Sequence, residues 1–158
     1  MTEGGEPRHL RGVLDTSTVI MLSRITDPSV LPAEPLITAV TLAELTVGPL
    51  VAASEEERSA RQAHVQQAEA DFDPLPFDAA AARAFGRVAA SIRRAGRKPA
   101  ARAYDAMIAA TALSRQLPVY TCNPDDFAKV DDLTVVPVDV PQPNLLSSPR
   151  FPGLLFER

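Results

Sequence analysis

Val13-Leu14-Asp15-Thr16-Ser17-Thr18-Val19-Ile20 reads as a strand that turns sharply into a helix. Val13 and Leu14 end a short apolar run. Asp15, Thr16 and Ser17 are residue types that start helices, and Val19, Ile20 and Leu22 continue at helical spacing. A carboxylate therefore stands at the carboxyl end of the first strand, the edge where ligands bind in an open α/β sheet. Three later acids, Glu44, Asp105 and Asp126, occupy comparable turns or helix faces. The expectation is that the fold gathers all four.

Outward from that stretch, strands and helices alternate. Asp27-Pro28, Pro32 and Pro35 end helical structure, and Leu36-Ile37-Thr38 reads as a second strand. Thr38 or Thr41 can cap the next helix, which Gly48-Pro49 interrupts or ends. Ser54 with Glu57 spells a capping box for a helix through about residue 70. Asp73 to Phe77, broken by two prolines, fits at most an edge strand. Asp78 caps a long helix whose Ala81, Phe85, Val88, Ala89 and Ile92 keep the 3.6 period, with Arg83, Arg87 and Arg94 on another face and Gly96 closing it. A further alanine-rich helix is expected over 103–115, then strands at 118–121 and 133–138. The alternation predicts an α/β fold with a parallel sheet between two helical layers.

At 158 residues the length fits one domain. Residues 1–10 read as a loose arm without the apolar block of a signal peptide, 11–140 as the folded domain, and 141–158 as a proline-rich tail. Leu145, Leu146, Phe151, Leu154, Leu155 and Phe156 make that tail apolar enough to pack on the domain or on a second subunit. No run is long enough to span a membrane. Cys122 is the sole cysteine, which rules out an internal disulfide and fits a reducing cytoplasm. A net charge of −4 argues against holding nucleic acid by charge alone, but leaves room for nucleic-acid chemistry at a cluster of acids.

Each acid has a plain structural explanation. Asp15 and Asp126 suit helix N-caps, Asp105 a first helical turn, and Glu44 a solvated helix face. Their neighbours argue otherwise. Leu42, Ala43, Leu45 and Val47 flank Glu44, and Asp105 shares a face with Ile108, Ala109 and Ala112, a face that should lie on the sheet. No lysine or arginine is expected at a spacing that neutralises Asp105. Carboxylates about 5 Å apart repel by roughly 3 kcal/mol per pair at an effective dielectric of about 20. Such a cluster needs protons or a cation, and oxygen-only ligation selects a hard ion, Mg²⁺ or Mn²⁺, over zinc.

Four strings, Leu14-Asp15-Thr16-Ser17, Thr41-Leu42-Ala43-Glu44-Leu45, 104–112 (YDAMIAATA) and 121–127 (TCNPDDF), resemble the PIN-domain nucleases, and most of all the VapC toxins of bacterial toxin–antitoxin pairs. The resemblance runs from about Val13 to Val138. It implies a PIN-like three-layer α/β/α sandwich with a mostly parallel central sheet, a homodimer, and Mg²⁺-dependent RNA cleavage by a metal-activated water, leaving 5′-phosphate and 3′-hydroxyl ends. It also implies that Asp15, Glu44, Asp105 and Asp126 are the catalytic and metal-binding acids, with Asp125 the alternative fourth ligand. Thr16, Ser17, Thr121 and Asn123 would support the ligands or hold the attacking water. The implied partners are RNA and a small cognate antitoxin that forms a higher assembly with the homodimer.

Arg93, Arg94, Arg97, Lys98 and Arg102 form the densest basic stretch, either a solvated helix end or a rim that contacts RNA phosphates. Cys122 lacks a base and is no nucleophile. Tyr104 suits packing better than base stacking, and His64 is a surface or packing residue. A haloacid-type phosphatase would need a second aspartate where Ser17 stands. A receiver domain would need an early acidic pair and a late lysine. The remaining rivals are a housekeeping RNA-processing nuclease of the same fold and a module that binds RNA or a partner through the metal site without cutting.

Overall fold

The computed structural model describes residues 8–140. Four strands, β1 (Arg11–Leu14), β2 (Glu34–Leu36), β3 (Val119–Thr121) and β4 (Val135–Pro137), form one sheet in the order β2-β1-β3-β4, parallel throughout. Val13 pairs with Leu36 on one side and Val119 on the other. Parallel neighbours need crossover connections. Helices α1 (Thr16–Met21), α2 (Ala39–Leu50), α3 (Glu55–Asp71), α4 (Ala79–Arg94) and α5 (Ala103–Ser114) lie between the strands in sequence.

Val13 and Leu14 are adjacent in β1, so their side chains leave opposite faces, and both are fully buried. The sheet is therefore covered on both sides, as an all-parallel sheet requires. Val13 and Val119 join Val88 and Ile92 of α4 and Ile108 and Ala109 of α5 in one core. Leu14 and Tyr120 join Val19, Leu45 and Val65 from α1, α2 and α3 in the other. This is the expected α/β/α sandwich.

The caps read from the sequence hold the helix starts. Asp15, Thr38, Ser54 and Asp78 each accept the backbone N–H three residues on, at 3.0, 3.2, 3.1 and 3.0 Å. At the far end of α4, Gly96 takes a positive φ of 77°. Arg97 N bonds Ile92 O at 3.1 Å and Gly96 N bonds Arg93 O at 2.9 Å, closing a Schellman turn.

Three segments differ from expectation. The second strand is Glu34–Leu36 rather than 36–38, because Thr38 already caps α2. Residues 73–77 supply one bridge, Thr38 to Leu75, instead of a strand; the prolines on either side of Leu75 lack the N–H a longer ladder needs. Arg8 to Leu10 do not hang loose: Arg8 donates to the carbonyls of Leu31 (2.8 Å) and Pro28 (3.1 Å), and His9 meets the Tyr120 ring edge-on at 6.2 Å. The packing expected of the tail falls at 141–158, outside the described residues. Among those described, no helix is long and apolar enough to cross a membrane.

Candidate active site

β1 and β3 are the central pair, and the chain leaves them in opposite directions, β1 toward β2 and β3 toward β4. Their carboxyl ends therefore flank a switch-point crevice. Asp15 follows β1, and Thr121 closes β3 beside it. Asp15 is buried and receives four donors. These are Ser17 Oγ (2.9 and 3.0 Å to its two oxygens), Thr18 N (3.0 Å), Thr18 Oγ1 (2.7 Å) and Thr121 Oγ1 (2.7 Å). Asp15 is thus both the N-cap of α1 and a candidate site residue. Burial raises its pKa, and the hydrogen bonds from Thr18, Thr121 and Ser17 pull against that rise.

Glu44 projects from α2 toward the same crevice. Thr16 Oγ1 donates to it at 2.7 Å. That uses the one hydroxyl proton of Thr16, so the 3.0 Å contact with Thr41 Oγ1 has Thr41 as its donor. Burial raises the Glu44 pKa, Thr16 lowers it, and the nearby charge of Asp15 raises it further.

Asp105 sits in the first turn of α5. Its pKa is pushed up to about 7, first by burial and then by the charges of Asp126, Glu44 and Asp15, with Arg102 acting against them. No donor among the described residues hydrogen-bonds its carboxylate. All four acids thus share one electrostatic neighbourhood centred on Asp105. Asp125 is exposed and is not among the charges that raise Asp105, which leaves Asp126 as the fourth acid of this group.

The supporting residues divide. Thr16, Ser17 and Thr121 bond acids directly. Asn123 is exposed and contributes its backbone N–H, which donates to Thr121 Oγ1 at 2.9 Å. Thr18 and Thr41, both fully buried, belong to the same network, although neither is among the expected site residues. Their signal was spacing: Thr18 lies three residues after Asp15, and Thr41 one helical turn before Glu44.

Arg102 departs most from expectation. It lies three residues before Asp105, and its charge acts on that acid, where no matching cation was expected. Its Nη1 stands 2.7 Å from Asp126 Oδ1, so it is an ion-pair partner inside the acid group. Arg97 donates to the Asp125 carbonyl at 3.3 Å, and Arg94 pairs with Asp131. Arg93 and Lys98 are exposed.

No three His, Cys, Asp or Glu side chains among the described residues form a ready-made metal cage. Mutual repulsion and the pull of Arg102 on Asp126 both oppose close approach of the acids. The donor chemistry nonetheless fits a hard ion. The acids offer only oxygens, and among the described residues no donor satisfies Asp105. The nearby Cys122 thiol, 3.6 Å from Thr18 Oγ1, is pushed up by burial and stays protonated, which makes it a poor ligand.

The PIN domain family matches residues 13–133. Ribonuclease VapC5 of Mycobacterium tuberculosis (strain ATCC 25618 / H37Rv) is 42% identical over 129 residues, 80% of this chain and 93% of that protein. The crystal structure of VapBC-5 from Mycobacterium tuberculosis, a member of the VapBC family of toxin–antitoxin systems, aligns at TM-score 0.70 and 40% identity, over 82% of this chain and 99% of that one. DNA-bound VapBC from Salmonella typhimurium aligns at TM-score 0.61 and 26% identity, over 80% and 96%.

Proposed function

The chain belongs to the PIN-domain family, as a relative of the VapC ribonucleases, and on that footing we propose that it is a Mg²⁺-dependent endoribonuclease and the toxin of a toxin–antitoxin pair. The observation that carries the reading is Asp105, a carboxyl pushed up to about 7 by burial and three neighbouring acids, with no donor to satisfy it among the described residues. At neutral pH such a carboxyl is about half ionised, its charged form is disfavoured by burial and by the neighbouring acids, and a divalent cation would relieve that cost.

Asp15, Glu44, Asp105 and Asp126 would hold the ion. Bound there, Mg²⁺ (or Mn²⁺) supplies a Lewis acid for the phosphodiester and a water acidic enough to attack it. The chain's own residues prepare the site. Four donors lock the Asp15 carboxylate in one orientation, and the relay from Thr41 through Thr16 orients Glu44. Thr121 ties Asp15 to the loop that carries Asp126 by bonding Asp15 and the Asn123 N–H at once. Arg102 steadies Asp126 and puts a guanidinium beside the acids, suited to a phosphate oxygen of the substrate.

The relatives, a ribonuclease and the VapBC toxin–antitoxin complexes, support RNA as substrate and a small antitoxin as partner. An acid group that lacks a full complement of cations is also a fitting target for a basic antitoxin side chain. We place the protein in the cytoplasm as a homodimer that joins a larger assembly with the antitoxin. Expressed alone, the chain should arrest growth, and the small gene encoded next to it should rescue growth and copurify. A neighbour that neither binds nor rescues would leave a housekeeping nuclease as the better reading.

A further inference from the structure

Arg83, Arg87 and Arg94 stand at i, i+4 and i+11 along α4, on one helical face. At the C-terminal end of that line Arg94 pairs with Asp131, and Arg97 bonds the carbonyl of Asp125, next to Asp126. At the other end Arg83 and Arg87 line a cleft of about 490 Å³ with Arg115, over Ala80 and Leu113. No acid lines this cleft, in a chain of net charge −4. Arg115 is anchored: it caps the C-terminus of α5, where the helix dipole favours a cation, and approaches Asp78 at 3.4 Å. Arg83 and Arg87 are exposed and have no ion-pair partner among the described residues. Like charges at i, i+4 disfavour a helix, a penalty that an anion bridging them removes.

The cleft lies far from the acids. Asp105 opens α5 and Arg115 ends it, about 15 Å apart at 1.5 Å per residue. The line of arginines on α4 joins the two places. We propose that the cleft formed by Arg83, Arg87 and Arg115 binds backbone phosphates of the RNA strand away from the scissile bond. This rests on the ribonuclease reading and extends it to a second contact. Guanidinium forks match phosphate oxygens in pairs, and a linear row of them suits a regularly charged strand better than a compact acidic peptide.

The test is fluorescence anisotropy with a long single-stranded RNA in EDTA, so that nothing is cut, across a range of salt. The proteins are wild type, Arg83→Gln/Arg87→Gln, Arg83→Lys/Arg87→Lys, and Arg58→Gln as a control on α3. The glutamine variant should bind about tenfold more weakly, and its log–log salt slope should fall by roughly 1.4 for two lost phosphate contacts. The lysine variant should recover most of the slope, and the control should match wild type. Equal binding by wild type and the glutamine variant overturns the cleft while leaving the ribonuclease reading intact. An equal loss in the control also overturns it. So does a changed oligomeric state with RNA affinity intact, which assigns the cleft to a protein partner. A wild type that neither binds nor cleaves RNA defeats both readings.

Discussion

Replacing Asp105 with asparagine should stabilise the metal-free protein, by an amount that depends on pH. In the folded chain this carboxyl keeps its proton up to about pH 7, against an ordinary value of 3.8. A raised carboxyl favours the folded state fully below its unfolded value, and that contribution is lost as pH rises through 7. At about 1.4 kcal/mol per pH unit, the interval corresponds to about 4 kcal/mol at most. Asparagine has the same shape and no charge, so Asp105→Asn escapes the loss. The two proteins should unfold alike near pH 4, and the variant should lead by up to about 4 kcal/mol at pH 8. With a urea slope of about 2 kcal/mol per molar, that is a midpoint shift of about 2 M. The assay is urea unfolding in EDTA at one fixed protein concentration, since dimerisation would otherwise shift the midpoint. Excess Mg²⁺ should close or reverse the gap by stabilising only the wild type. An asparagine variant no more stable than wild type at pH 8, or a gap independent of pH, would refute the electrostatic account of the site.

Arg102→Gln removes the internal cation from Asp126, and Mn²⁺ should then raise the melting temperature more than in wild type while cleavage falls; an unchanged metal response would separate Arg102 from the site. Thr121→Val leaves Asp15 without one donor and the Asn123 N–H without its acceptor, so calorimetry should show a loss of about 1–3 kcal/mol; a neutral outcome would mean the network is slack. Gly12→Ala sets a Cβ 2.6 Å from Tyr120 Cε2, inside the core beside β1, and chemical denaturation should register about 1–3 kcal/mol of overpacking. A melting curve superimposable on wild type would contradict that packing.

What was legible in the sequence was what is local. Asp15, Thr38, Ser54 and Asp78 announce helix starts because a cap and its backbone donor lie three residues apart. Val13-Leu14 and Val119-Tyr120 announce a sheet covered on both faces because consecutive apolar residues point opposite ways. Contacts made by folding were harder to read. Arg102 and Asp126 are 24 residues apart, and only the fold brings the turn before α5 to the loop after β3. Thr18 and Thr41 look like ordinary helix residues until the fold buries them and turns their hydroxyls to Asp15 and Thr16. Leu75 carries apolar strand character, yet the prolines around it allow one bridge only.

The most direct test of the central claim is to incubate a total-RNA pool with purified protein and map the new ends. The arms are Mg²⁺, EDTA, and Asp105→Asn with Mg²⁺, the variant first shown to be folded. The account predicts discrete cuts bearing 5′-phosphates with wild type and Mg²⁺, and none in the other two arms. Cuts of equal yield in EDTA, or with Asp105→Asn, would contradict a metal site built on these four acids.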